Sequence, residues 1–266
     1  MRVRIVFGLS NKGATVPFHH QFLLANVINS QLDKYKGEFQ GFDLYNFSGL
    51  KGQTKVGKEG LHFYSNKVTL VFSSTNDHLI DSVIKAIFKQ QQVEIGKLLL
   101  IPLSVEKEII PIITSEMKYI CLSPLVLLHP AENPAEAKKF INPTSDEFSD
   151  ILYDNTMYRM EKSGQFTTEQ IAGFYKFQIV PDKDYLEKIR DEEKKFARIF
   201  PAFDKSNKYE VRGYTLPFTL YADPEVQSFI FNCGLGVYTN KGFGMMDLAN
   251  SDPNQRTTPM ELNLDN

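Results

Sequence analysis

Apolar and polar positions alternate with period two at the start of the chain: Val3, Ile5, Phe7 and Leu9 against Arg2, Arg4 and Val6. That alternation predicts a strand over Arg2–Leu9. Asn11-Lys12-Gly13 reads as a loop, and Val16-Pro17 opens a helix from Phe18 to about Leu32, with proline preset for a first turn. A basic turn follows, Lys34-Tyr35-Lys36-Gly37. Aromatic alternation then predicts a strand over Phe42–Phe47. Lys51 to Gly60 is rich in glycine and lysine and reads as a flexible hairpin tip. Leu61–Phe72 is β-branched and aromatic, with a break at Ser65-Asn66. Asn76 or Asp77 caps a helix whose apolar face is Leu79, Ile80, Val83, Ile87 and Phe88. An apolar strand is expected over Val93–Leu103.

The second half repeats the pattern less cleanly. A strand set is expected over Lys118–His129, then a loop with three prolines between Pro130 and Pro143. Ser145-Asp146-Glu147 caps a helix to about Met160, with Glu147 placed where the helix dipole favours an acid. Phe174–Val180 reads as a strand, and Asp184–Phe200 as a charged amphipathic segment. Tyr209–Tyr221 reads as one long strand bent at Pro217, and Asp223-Pro224 starts a short helix through Phe231. A last strand covers Phe243–Leu248. Each half thus has the order β-α-β-β-α-β, a ferredoxin-like unit, the second with an insertion after its second strand. The expected class is α+β with two tandem ferredoxin-like domains, 1–115 and 116–248, and a disordered polar tail at 249–266.

Composition adjusts this picture modestly. With 266 residues and 42% hydrophobic content, two buried cores are affordable, and no apolar run reaches the length of a membrane span. The opening residues are too short an apolar run for a signal peptide, and Cys121 and Cys233 stand far apart, so both thiols are expected reduced in a cytoplasmic protein. Net charge is −2, but residues 1–72 carry nine Lys/Arg against four Asp/Glu. A basic first domain on a neutral body suits a restricted nucleic-acid footprint.

One stretch concentrates glycine: Gly234-Leu235-Gly236, five residues, then Gly242-Phe243-Gly244-Met245. It is not a Walker A loop, because Lys241 precedes Gly242-Phe243 instead of joining a Ser or Thr. Nor is it a dinucleotide fingerprint, since it follows a predicted helix and leads into a strand. The spacing resembles the C-terminal glycine-rich loop of the CRISPR-associated repeat-RNA endoribonucleases, the RAMP-type proteins that cut repeat transcripts into guide RNAs. Val16-Pro17-Phe18-His19-His20-Gln21-Phe22 is similar to the opening of that family's first helix. The resemblance spans nearly the whole chain and is weakest over about 131–210.

The resemblance implies metal-independent RNA cleavage, in which a ribose 2′-hydroxyl attacks the adjacent phosphorus and leaves a 2′,3′-cyclic phosphate. Such a site needs a base, an acid and a cation for the charge gathering on phosphate. The catalytic candidates are His20, His19, Lys36 and Tyr35. Active members of the family carry a histidine in the segment after helix one and a tyrosine within that helix; here that segment has no histidine, and Asn29 stands at the tyrosine position. The departure leaves a second reading open, a repeat-RNA-binding or scaffold subunit of a CRISPR effector complex that does not cut. RNA-binding candidates are Lys51, Lys55 and Lys58 on the hairpin, Lys194, Lys195 and Arg198 on an inserted helix, and Gly234, Gly236, Tyr238, Lys241, Gly242 and Gly244 in the loop. His62 lies within reach of RNA; His78 and His129 read as structural. Asp146, Glu147, Asp150 and Asp154 read as a solvated helix face, and no metal, cofactor or membrane is expected. The expected partner is CRISPR repeat RNA, with the protein acting as a monomer or homodimer, alone or with other effector subunits.

Overall fold

The computed structural model describes residues 1–35, 37–204 and 207–262. By contacts the chain divides into two units, Met1–Ile110 with Asn240–Gly242 and Asp252–Asn266, and Pro111–Thr239 with Phe243–Ser251.

The first unit begins β1 (Arg2–Leu9), β2 (Thr15–Val16), α1 (Gln21–Leu32), β3 (Tyr45–Phe47), β4 (Thr54–Val56) and β5 (Leu61–Phe63). It continues with β6 (Lys67–Ser74), α2 (Asp77–Phe88), β7 (Val93–Ile95) and β8 (Leu98–Glu108). Its main sheet runs β8-β1-β6-β3, all antiparallel, which in element order is the 4-1-3-2 arrangement of a ferredoxin-like unit. The alternation in β1 does what it predicts: Val3, Ile5 and Phe7 are buried with Leu24, Ile28, Ile80, Val83, Ile84 and Ile87 of the two helices. Burying side chains of this size stabilises by roughly 1.5–3 kcal/mol each relative to exposure. The opposite sheet face is also covered, with Arg2 fully buried and its Nε 2.6 Å from Glu108 Oε2. The Asn76 side chain accepts from the Leu79 N–H and caps α2.

Three expectations shift in this unit. Helix α1 starts at Gln21 instead of Phe18, because His20 takes the cap position outside helical geometry. The strand expected over Val93–Leu103 is a hairpin, β7 and β8, turned at Gly96 with φ of +61°. β4 and β5 form with β2 a small separate sheet, so the glycine- and lysine-rich tip is an ordered hairpin.

The second unit contains β9 (Glu116–Cys121), β10 (Leu125–Val126), α3 (Asp146–Lys162), α4 (Thr168–Gly173) and β11 (Phe177–Pro181). It then has α5 (Lys183–Asp191), β12 (Ala197–Asp204), β13 (Asn207–Tyr214), β14 (Phe218–Ala222), α6 (Pro224–Cys233) and β15 (Met246–Leu248). Its four-stranded sheet runs β15-β9-β14-β11, again 4-1-3-2. A second sheet, β10-β13-β12, packs around Val126, Phe200, Ala202, Val211 and Phe243.

Here the sequence reading joined segments that the fold separates. The strand set over Lys118–His129 splits at Leu122–Pro124 into β9 and β10, which belong to different sheets. Tyr209–Tyr221 likewise divides into β13 and β14 in different sheets; Pro217 has no N–H to continue a ladder. Helix α5 ends at Asp191, so Lys194 and Lys195 lie in the turn after it and Arg198 lies on β12, not on an inserted helix. The polar stretch expected to be disordered forms, through residue 262, a 3-10 turn at Pro253–Arg256 and β16 (Thr257–Pro259). β16 pairs with β8 at the edge of the first unit's sheet, and Met260 and Leu262 pack on that unit's core.

Candidate nucleic-acid interface

The glycine-rich loop is a close-packed piece of backbone, most of it in the second unit. Gly236 and Gly244 have φ of +82° and +74°, and a Cβ on either would strike a main-chain oxygen, of Val126 and Leu235 respectively. No other residue fits both demands. Three of the loop's N–H groups bond inside the protein: Leu235 donates to Gly244 O at 2.9 Å, Val237 to Val126 O at 3.0 Å and Gly244 to Pro124 O at 2.8 Å. Gly234, Gly236, Gly242 and Gly244 are all buried. Tyr238 holds φ of +61°, with its ring centroid 5.7 Å from that of Tyr209.

Arg159, in the last turn of α3, holds this loop. Its Nη1 donates to Gly234 O at 2.8 Å and Gly236 O at 3.2 Å; Nη2 donates to Cys233 O at 2.7 Å and Thr239 Oγ1 at 3.1 Å. The guanidinium also lies 5.6 Å from the Phe229 ring centroid. One planar fork thereby meets the carbonyls ending α6 and the first half of the loop, a task suited to arginine geometry. Sequence reasoning missed Arg159, which stands in α3 with no motif to mark it.

In the first unit, the loop residues Asn240–Gly242 cluster with α1 and β3, where a Cβ on Gly242 would strike the Phe47 ring and approach Gln21 Cβ at 3.2 Å. His20 is buried. Its Nδ1 donates to Pro17 O at 3.2 Å and its Nε2 accepts the Leu50 N–H at 3.1 Å, which fixes the neutral tautomer. Burial pushes its pKa below the ordinary histidine value. With both nitrogens committed to main chain, His20 ties the start of α1 to the segment after β3. His19, half-buried, precedes it outside the helix.

Tyr35 donates to Ser82 O at 2.9 Å and packs edge-on against Phe39, 5.9 Å between centroids, which fixes it to α2. Lys36 lies outside the described residues. Asn29 Oδ1 accepts from the Tyr45 hydroxyl at 3.1 Å, and burial first, then Asp43 and Asp33, hold that phenol well above its usual value. His78, read from sequence as structural, is exposed and paired with Glu38 of the post-helix segment at 2.7 Å. His129 donates through Nε2 to Asp154 Oδ2 at 3.1 Å, one carboxylate of the acidic face of α3.

The basic candidates lie on both units. Lys51, Lys55 and Lys58 are exposed around the β4–β5 hairpin, where Lys55 is paired in register with His62 and its ammonium lies 5.1 Å from the Tyr64 ring centroid. His62 donates from Nδ1 to Gly13 O at 2.9 Å. Lys194, Lys195 and Arg198 are exposed on the second unit, with Lys194 Nζ 2.6 Å from Glu192. Lys241 is half-buried in the loop. Among the described residues, no cluster of three His, Cys, Asp or Glu side chains could hold a metal ion, and no helix is long and apolar enough to cross a membrane.

Two solved structures share the fold. One, a Cas6-related protein from Pyrococcus furiosus, superposes with a TM-score of 0.75 at 19% identity, over 95% of this chain and 99% of that one. The other, a RAMP protein described as binding different RNA substrates, gives 0.75 at 19% identity, over 94% and 100%. A full-length relative, CRISPR-associated endoribonuclease Cas6 1 of Methanocaldococcus jannaschii, is 23% identical over 273 residues, 98% of each chain. The profile of the CRISPR associated protein Cas6 C-terminal family matches residues 105–248, more than half of the chain. The chain belongs to the Cas6 family.

Proposed function

We propose that this protein is a CRISPR repeat-RNA endoribonuclease that makes guide RNA by metal-independent attack of a 2′-hydroxyl on the neighbouring phosphorus. The products are a 2′,3′-cyclic phosphate and a 5′-hydroxyl. The observation that carries the reading is the Cas6 match across the second unit together with the Arg159-held glycine loop inside it. His19 and Lys36 are assigned to proton transfer and charge stabilisation. His20 positions the helix start, because both its nitrogens are used. Tyr35, bound to Ser82 O, acts as a support for that segment.

A second reading is favoured by a specific observation. The segment after α1 offers no histidine of its own, and Asn29 takes up the Tyr45 hydroxyl where the family carries a tyrosine. On that reading the protein holds repeat RNA within an effector complex and does not cut it.

The deciding experiment is a cleavage assay on the host's repeat RNA in excess EDTA, beside RNAs carrying a single 2′-deoxy residue at each position. One product that disappears with one deoxy substitution supports the enzyme. Tight repeat-specific binding without product overturns it in favour of the binding subunit.

A further inference from the structure

The β4–β5 hairpin carries a feature that the catalytic reading does not use. Tyr64, directly after β5, is 43% exposed although it is a large aromatic. Its backbone is fixed: the Tyr64 N–H donates to Gln53 O at 2.9 Å, and Ser65 Oγ accepts the Gln53 N–H at 3.2 Å. A rigid, exposed ring costs little conformational entropy to bind against. Its edge lies by Gly13, whose added Cβ would sit 3.7 Å from Cε1, and the Lys55 ammonium lies over the ring, 5.1 Å from its centroid, where a stacking base would displace it toward the phosphate. The surroundings are basic. Lys12 adjoins Gly13, and Lys51, Lys55, Lys58 and Lys67 are exposed on the same stretch, against Glu59 as the one acid between residues 51 and 67. Exposed aromatic faces among lysines are how proteins grip unpaired nucleotides: the base stacks and the phosphates meet ammonium groups.

We propose that Tyr64 is a stacking platform for one unpaired base of bound RNA, flanked by phosphate contacts from Lys55 and Lys58. The site takes single-stranded RNA, because a base within a duplex presents no free face to a ring. This inference rests on the RNA-processing reading but concerns grip alone.

The test is fluorescence anisotropy of the full chain with labelled single-stranded repeat RNA, across a series of salt concentrations. Tyr64→Ala should weaken binding about tenfold or more with an unchanged salt slope, as expected for a lost stacking contact. Tyr64→Phe should stay within about twofold. Lys55→Ala and Lys58→Ala should each lower the slope of log K against log salt by about 0.7, the single-strand increment per phosphate contact. Thiouridine crosslinking of the wild type, read by mass spectrometry, should mark Tyr64. If Tyr64→Ala binds as wild type, or the wild-type crosslink falls away from Tyr64, while repeat RNA is still cut, the platform is wrong and the enzyme reading stands. If Tyr64→Ala loses a repeat duplex as strongly as the single strand, the site is not a single-strand platform. If the wild type neither binds nor cuts, both fall.

Discussion

Removing the Arg159 guanidinium tests whether the glycine-rich loop is held or merely turned. The side chain makes four hydrogen bonds at 2.7–3.2 Å to Cys233 O, Gly234 O, Gly236 O and Thr239 Oγ1. A hydrogen bond from a charged group contributes a net ~1.5–3 kcal/mol. The four share one cation on a half-buried side chain, and water can replace part of what is lost, so the bonds do not add. A local loss of about 3 kcal/mol is the working figure. That corresponds to roughly a hundredfold rise in the opening equilibrium of the loop. Amide hydrogen exchange reads it directly at Leu235, Val237 and Gly244, whose N–H groups are bonded within this region. Arg159→Met keeps an apolar stem against Phe229 while deleting all donors, and should accelerate exchange at those amides by about a hundredfold. Arg159→Lys restores one charge without the fork and should recover only part of the protection. Repeat-RNA affinity should fall alongside. If exchange in Arg159→Met rises less than threefold, the loop holds itself by its own backbone bonds, and the clamp argument is refuted.

Other outcomes follow from the same geometry. Gly244→Ala places a methyl against the Leu235 carbonyl at φ of +74° and should cost at least about 2 kcal/mol, read as a lower urea midpoint; an unchanged midpoint would contradict the packing described. His20 has its pKa lowered by burial, so between its folded pKa and about 6.5 the unfolded chain binds more protons. Its contribution is therefore complete above about pH 6.5 and declines as pH falls below that, by up to about 1.4 kcal/mol per pH unit. His20→Gln should flatten this decline in urea titrations at pH 7.5 and 5, and equal pH dependence in both proteins would argue that His20 is not held neutral. Tyr35→Phe deletes one hydrogen bond to Ser82 O and should cost about 1 kcal/mol while leaving the cleavage rate within twofold; a rate loss of a hundredfold would return Tyr35 to the chemistry.

The sequence alone determined the two β-α-β-β-α-β orders, since strand alternation and helical periodicity are local; the buried face of α2 follows its period at Leu79, Ile80, Val83 and Ile87, whereas β1 is buried on both faces. It also marked the glycine loop, because positive φ and close backbone approach leave a direct trace in residue type. Which strands share a sheet was decided by the tertiary structure. β13 and β14 read as one run because alternation carries no information about partners, and only the pairing of β13 with β12 and of β14 with β9 and β11 separates them. The tail beyond Leu248 looks unstructured for the same reason: Thr257–Pro259 has no apolar pattern, yet the open edge of β8 gives its backbone a partner. The site shows the division most sharply. His19 and His20 are neighbours in sequence, but the fold commits both nitrogens of His20 to main chain. Arg159 carries no motif, because its importance lies in carbonyl groups 74 to 77 residues away, which only folding brings to it.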